Sequence, residues 1–502
     1  MKVILAGYNV DADVLQDLLA DAPPRADATP ETLSAAYARI SRHPEPVDEL
    51  RRRAREEVEK ARLSNRTIIF KMGHHSVAEH AVFNFDLLGV SRLAIEEVEH
   101  FRLCSFTEKS QRYIKLEDDF VLPQEVRQAG LSDLFVKTVR AQNAFYLSLY
   151  DRLKPYFFEA RREWAAHPGN QAILEGWAKE DARYTVSLAT EGQLGMTVNA
   201  RNLELLIRRF ACADLDEVRT LNRALFALAK SVAPSIVLFT EACELDALTY
   251  RDLAEEAARL LGRPGRGMTG PGAGSPVRLV QAPRDGDTRI LAALLHKSSG
   301  RPYRECLQKA VGASAAGKKK IFKTAWRHME FYDFPQREFE FADLAFELVV
   351  SAACFAQLKR HRMATLTVQP YDPGLGVTVP PSFVAVGAEK EFMEIADRTS
   401  EVYAKLKKKI GRAAEYILTN AHRRRALLKT NARELYHISR LREDATAQWD
   451  IRAVAGRMSE AARKAMPLSF LLLGGKDAYP SLYRKLYGRS PKLMPPKFWH
   501  DE

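Results

Sequence analysis

Three adjacent residues, Arg360, His361 and Arg362, follow the helix-like run SAACFAQLK. Two guanidinium groups and an imidazole at a helix end make a fork that suits an anion, because Arg matches phosphate oxygens in a bidentate way. The plainer alternative is a basic C-terminus that offsets the helix dipole, and this motif alone favours it. A second cluster holds Asn431, Arg433, His437 and Arg442. On a helix over 431–441, Asn431 and Arg442 fall nearly in line, and Arg433 and His437, four apart, share another stripe. Such a face is poor core material, so it is either solvated or lines a polar pocket. Asn and His can bond the edge of a ring, and Arg can bond a pyrophosphate or stabilise a developing oxyanion.

The first half carries different groups. Glu108, Lys109, Ser110, Gln111, Arg112 and Tyr113 form a dense polar loop after a helix. It offers a carboxylate, a hydroxyl, an amide and two cations, enough to hold a phosphate and a ribose hydroxyl together. Upstream, GHHSVAEH (73–80) supplies His74, Ser76, Glu79 and His80. Two histidines raise a zinc site as an alternative, but they stand six apart with no third ligand at helical spacing, so no metal is expected. Arg183 and Asn199-Ala200-Arg201 complete the set. The five cysteines (Cys104, Cys212, Cys243, Cys306, Cys354) are scattered, so reduced thiols are expected and none is placed as a nucleophile.

These groups must be positioned by a chain of 502 residues, which suggests at least two domains. Helical patterns run over 47–64, 90–101, 132–156, 199–209, 215–231, 251–261, 388–418, 431–441 and 446–464. Strand-like runs are 2–7, 81–88, 118–122, 277–282 and 340–350. Each half reads as α+β, with helices on a small mixed or antiparallel sheet. The Gly- and Pro-rich stretch GRPGRGMTGPGAGSP reads as a flexible linker. Both halves open as strand, acidic cap and helix. The segment 87–113 aligns with 347–372, placing Ser91 on Ser351, His100 on Arg360, Phe101 on His361 and Arg102 on Arg362. Likewise 197–210 aligns with 429–442. Two matches in the same order argue for duplication. The expected domains are therefore 1–262 and 277–485, joined by 263–276 and followed by a tail at 486–502.

The net charge of +12 and a pI near 9.3 favour anionic partners. No run of about 18 apolar residues exists and the N-terminus lacks a signal-peptide pattern, so no membrane partner and a cytoplasmic location are expected.

The ordered motifs, Arg-His-Arg, then Glu-x-Ser-x-Arg-Tyr, with His-x-Ser-x-x-Glu-His upstream and an Asn-Ala-Arg helix downstream, resemble those of the flavin-dependent thymidylate synthases. The resemblance covers roughly 60–210 and 335–460 and implies two tandem copies of a thymidylate-synthase-complementing-protein-like fold. It implies that Arg360, His361 and Arg362 hold FAD, with His74, Ser76, Glu79, Asn431, Arg433 and His437 contributing. It implies that Glu108, Ser110, Gln111, Arg112, Arg183 and Gln357 bind dUMP. Arg442 would contact the pyrimidine and stabilise negative charge on it, with Ser110 beside the base as a positioning group. The copies depart from the pattern in complementary ways. Where the second half has Gln357, the first has Glu97; where the first has Arg183, the second has Glu415. Val368, Pro370 and Asp372 replace the Glu-Ser-Arg loop in the second half, and only Glu340 is available there to match Glu79. Leu205 and Arg209 depart from the helix pattern in the first. The implied activity is reductive methylation of dUMP to dTMP, with methylenetetrahydrofolate and NADPH as co-substrates. The implied assembly is a homodimer forming a pseudo-tetramer with sites shared between copies. The competing readings are a degenerate nucleotide-binding paralogue and a basic nucleic-acid-binding protein; nucleic acid is not an expected partner, because no recognised module is present.

Overall fold

The computed structural model describes residues 1–20, 27–262 and 275–494. Most of the expected linker (263–274) and the end of the tail (495–502) lie outside the described residues. Among the described residues, no helix is long and apolar enough to cross a membrane.

Two four-stranded antiparallel sheets form, with the same topology. The first orders β1 (Lys2–Tyr8), β2 (Val82–Ser91), β4 (Glu191–Asn199) and β3 (Ser105–Glu108) as β1-β2-β4-β3. The second orders β5 (Val277–Gln281), β6 (Asp343–Ser351), β8 (Arg423–Asn431) and β7 (Thr365–Val368) as β5-β6-β8-β7. The fold is thus two α+β copies, as the repeat implied. In β2, Phe83, Phe85 and Leu87 alternate into the core, and in β4 Leu194, Met196 and Val198 do the same.

Strand β4 and its counterpart β8 are central, yet neither is among the strand-like runs of the sequence. EGQLGMTVN carries two glycines and RRRALLKTN opens on three arginines, so the apolar content that marks a strand is diluted. Their alternation is intact: Leu428 and Ala426 are buried while Leu427 and Lys429 are exposed. The expected strand over 118–122 does not form; only an isolated bridge joins Phe120 to Thr190. The expected helix over 47–64 is broken at Glu57 into Val47–Glu56 and Val58–Asn65. The one over 388–418 ends at Ile410, where Gly411 takes φ +56° and the chain tightens into a 3₁₀ segment, Gly411–Ile417.

The aligned serines occupy matching places. Ser91 Oγ accepts from the Ala94 N–H and donates to Glu217 at 2.6 Å. Ser351 Oγ accepts from the Cys354 N–H and donates to Asp450 at 2.6 Å. Each serine thus caps a short helix and ties it to a buried carboxylate on a longer one, Asp216–Val232 in the first copy and Trp449–Ala465 in the second.

The compact units do not coincide with the repeats. One contains Met1–Arg266 together with Val379–Asn420; the other contains Gly267–Thr378 and the chain from Ala421. A segment of the second copy therefore belongs to the first unit, including the long helix Glu389–Ile410. It is fixed there by buried polar contacts. Gln142, on the helix Ser132–Ala160, donates to Thr399 Oγ1 (2.9 Å) and to the Ile417 carbonyl (3.0 Å), and Ser382 donates to Asp181 (2.6 Å). Ser187 bridges antiparallel to Thr419, and the bonds around that bridge are reciprocal: Leu188 N–H to the Leu418 carbonyl (2.7 Å) and Asn420 N–H to the Val186 carbonyl (3.0 Å). With Asn199 set on Asn431, Val186 aligns with Leu418 and Leu188 with Asn420, so the pairing is a local pseudo-two-fold. The other unit has its own core, where Trp326, Phe339, Tyr436 and Phe470 pack ring against ring.

Candidate functional site

In the first unit, the loop after β3 delivers the polar residues of 108–113. Arg112 Nε donates to Glu180 at 2.6 Å, and the Arg112 N–H bonds Ser110 Oγ at 3.2 Å. Glu180 lies in the last turn of the helix Pro168–Ala182, and Arg183 follows on a single 3₁₀ turn, so both arginines sit beside one carboxylate. Arg183 is buried, and desolvation lowers its pKa from the ordinary value, with Glu180 opposing. Asn420, from the segment of the second copy that joins this unit, donates both to Gln111 Oε1 and to the Arg183 carbonyl, each at 3.0 Å. Glu108 approaches the buried Arg92 at 3.8 Å, and with Gln111 and Thr190 the two line a small pocket. Four candidate residues, Glu108, Gln111, Arg112 and Arg183, thus share one neighbourhood with Ser110. Two guanidinium groups beside Glu180 form a pair of the kind that suits a phosphate.

The 3₁₀ turn His75–His80 carries the upstream motif. Glu79 pairs with Arg201, the exposed His74 faces the Arg42 guanidinium at 3.2 Å, and Ser76 lies exposed on the same turn. The second copy repeats the ion pair: Glu340, on the 3₁₀ turn Arg337–Phe341, meets Arg433 at 3.2 Å. The alignment of Glu340 with Glu79, loose in sequence, is definite in space. Hydrogen bonding to Arg337 lowers the Glu340 pKa from the usual carboxylate value, so the group is ionised at neutral pH.

In the second unit, β8 runs into the helix Ala432–Arg442. Asn431 is its N-cap, accepting from the Glu434 N–H at 2.8 Å, rather than part of the helical stripe expected from sequence. Arg442, on the last turn, donates from Nε to His361 Nε2 at 2.9 Å. His361 is buried; its Nδ1 lies 3.5 Å from Glu434, and its ring stands edge-on to His437 at 5.7 Å. Burial and the Arg442 charge lower the His361 pKa, although Glu434 opposes them. The neutral ring then accepts from Arg442 on Nε2, and its Nδ1, which makes no hydrogen bond among the described residues, faces Glu434. The ligand atoms of His361, Glu434 and His437 lie within 4.8 Å of one another, close enough for a cation. Arg442, however, already engages the His361 Nε2 lone pair and opposes a dication by charge.

Arg360 and Arg362 flank His361 on the exposed side. Gln357 is buried, donating to Gln448 at 2.6 Å, and its Oε1 lacks a hydrogen-bond partner. Such a group is a ready acceptor for a ligand N–H. Arg433 also bonds the Pro335 carbonyl at 2.8 Å. A cleft of about 570 Å³ opens beside Glu340, lined by Lys297, Arg337, Glu338 and Phe341.

The same motifs, met in the same order in both sheets, agree with the similarity to known sequences. The profile of the family described as thymidylate synthase complementing protein matches residues 25–235 and again 278–468. The chain belongs to that family. Among its relatives, a flavin-dependent thymidylate synthase of Clostridium tetani is 28% identical over 215 residues, covering 42% of this chain and 82% of the relative. A UPF0159 protein of Chlamydia pneumoniae is 22% identical over 436 residues, covering 82% of this chain and 80% of the relative. A crystal structure of a flavin-dependent thymidylate synthase from Helicobacter pylori, complexed with FAD and dUMP, covers 47% of this chain and 100% of its own at 16% identity and a TM-score of 0.31.

Four residues of this family member's site were missed by sequence reasoning: Glu180, Asn420, Glu434 and Gln448. Glu180 stands three residues before a position the motifs single out, Arg183. That spacing was a usable signal.

Proposed function

We propose that this chain is an FAD-dependent enzyme that reductively methylates dUMP to dTMP, with methylenetetrahydrofolate and NADPH as co-substrates. The observation that carries the reading is the uneven survival of groups: a paired-arginine anion site in the first unit, and an Arg442–His361–Glu434 array in the second. Arg112 and Arg183 bind the phosphate, Glu108, Ser110 and Gln111 bind the sugar and base, and Gln357 accepts from an N–H at the pyrimidine edge through its unsatisfied oxygen.

The residues present fit FAD. His361 is buried, held neutral and fixed in orientation; the exposed Arg360 and Arg362 beside it suit a pyrophosphate. His74, Ser76, Glu79, Asn431, Arg433 and His437 complete the candidate set. Asn431 offers only its amide N–H groups, since its oxygen caps the helix. Bound FAD would supply a two-electron reductant. Arg442, held by His361, is the cation that would stabilise negative charge developing on a pyrimidine oxygen. Release of tritium from C5-labelled dUMP in the presence of all co-substrates tests the proposal; no release from flavin-loaded protein refutes it.

A second reading, a family member that binds nucleotide without turning it over, is favoured by the closed Glu79–Arg201 and Glu340–Arg433 pairs. Yellow protein whose reduced flavin is not reoxidised in a dUMP-dependent way would select it. The chain is further proposed to act in the cytoplasm as a homodimer; sedimentation equilibrium measures the assembly.

A further inference from the structure

The first unit permits a comparison of the two copies residue by residue, because Ser187 pairs with Thr419 across the local pseudo-two-fold. In that register Arg183 corresponds to Glu415, and Glu180 to Arg412. The segment 87–113 laid on 347–372 adds Arg112 against Asp372 and Glu97 against Gln357. Every charge of the Arg112–Glu180–Arg183 set is therefore reversed in the second copy. A neutral amide has also become a carboxylate in the first.

The reversed residues are not idle. Arg412 pairs with Glu97 and lies 3.9 Å from Asp214 and 4.0 Å from Glu415. Glu415 is buried and Glu97 is half-buried, so neither charge is well served by water. The neighbouring carboxylates raise the Arg412 pKa although burial opposes them.

We propose that the counterpart of the Arg112–Arg183 phosphate site has been converted into an internal ion-pair clamp centred on Arg412, so that each chain binds one nucleotide phosphate instead of two. The inference rests on the reading of Arg112 and Arg183 as phosphate ligands. The reversal leaves Arg412 paired, with Glu97 in place of the counterpart of Arg112, while changing the sign of what the place attracts. A phosphate brought to Glu97 and Glu415 meets two carboxylates already engaged with Arg412, and is repelled. Unrelated drift would have left unmatched charges at the buried positions, which are costly and rare.

The test titrates dUMP calorimetrically into the flavin-loaded full-length chain. One dUMP per chain is expected; two overturn the proposal. Arg412→Gln should leave the dUMP dissociation constant within about twofold while lowering the melting temperature by roughly 3–6 °C. Arg183→Gln should weaken dUMP at least about tenfold, the scale of a lost charge-assisted bond. Weakening of dUMP tenfold by Arg412→Gln, with an unchanged melting temperature, would overturn the clamp. If the wild-type chain binds no dUMP, the assignment of function fails, and the clamp is judged by coupling alone. Glu97→Gln, Arg412→Gln and their combination should then lower the melting temperature by less together than the sum of the single effects. Additive losses refute it, and Glu97→Gln serves by itself, against wild type, should the Arg412 variants not fold.

Discussion

Arg442 donates to a side chain 81 residues earlier, and that bond to His361 is one of the links between the two motifs of the second copy. Arg442→Ala is expected to abolish tritium release while flavin absorbance of the purified protein persists; turnover near wild type would remove Arg442 from the chemistry. His361 gives a second prediction. Its folded pKa lies below its unfolded one, so below about pH 6.5 the unfolded chain binds the extra proton and the folded chain resists it. Stability should fall as pH drops from about 7 to 5, and the fall should be shallower in His361→Gln, followed by urea midpoints of the flavin-free protein. Much of this scale was legible: the arginines, histidines and the loop at 108–113 were recognisable by type and spacing. What was not legible were the partners. Glu434 and Gln448 carry no motif, and a pairing such as Asn420 with Gln111, far apart in sequence, is decided by the fold.

At the scale of elements, the helix Ala432–Arg442 is aimed by its cap. Asn431 ends β8 and begins the helix, so the strand register with Asp343 sets where Arg433, His437 and Arg442 point. Asn199 plays the same part for the helix Ala200–Phe210. Replacing either Asn with Ala should cost about 1 kcal/mol of stability in urea denaturation. Only Asn431→Ala should also loosen the flavin, as read by the fraction bound after gel filtration; equal flavin retention in both variants would leave Asn431 a cap alone. The sequence marked the edge strands β1 and β5 and the apolar β2 and β6. It did not mark β4 and β8, because Gly in the one and Arg and Lys in the other dilute the apolar residues that signal a strand.

For the whole molecule, duplication was visible in the ordered repeat of motifs, and both copies do form the same sheet. The composition of the compact units was not visible, since nothing local in Val379–Asn420 says which core it joins. That segment covers Gln142 and Asp181 in the first unit. A fragment ending at residue 262 should therefore expose apolar surface and bind a hydrophobic dye, and should co-purify with a co-expressed fragment beginning at 275. A soluble, monomeric, dye-negative fragment 1–262 that also bound both FAD and dUMP would argue that the copies are independent.

The reciprocal bonds around Ser187 and Thr419 have a genetic consequence. In an assembly of identical subunits, a substitution at a self-facing contact arrives on both sides at once and must be tolerated twice. Here each side has its own codon, so one side can change while the other stands still. A chain joined in this way can explore sequences closed to a symmetric ancestor, including those that specialise one side for a ligand and the other for cohesion.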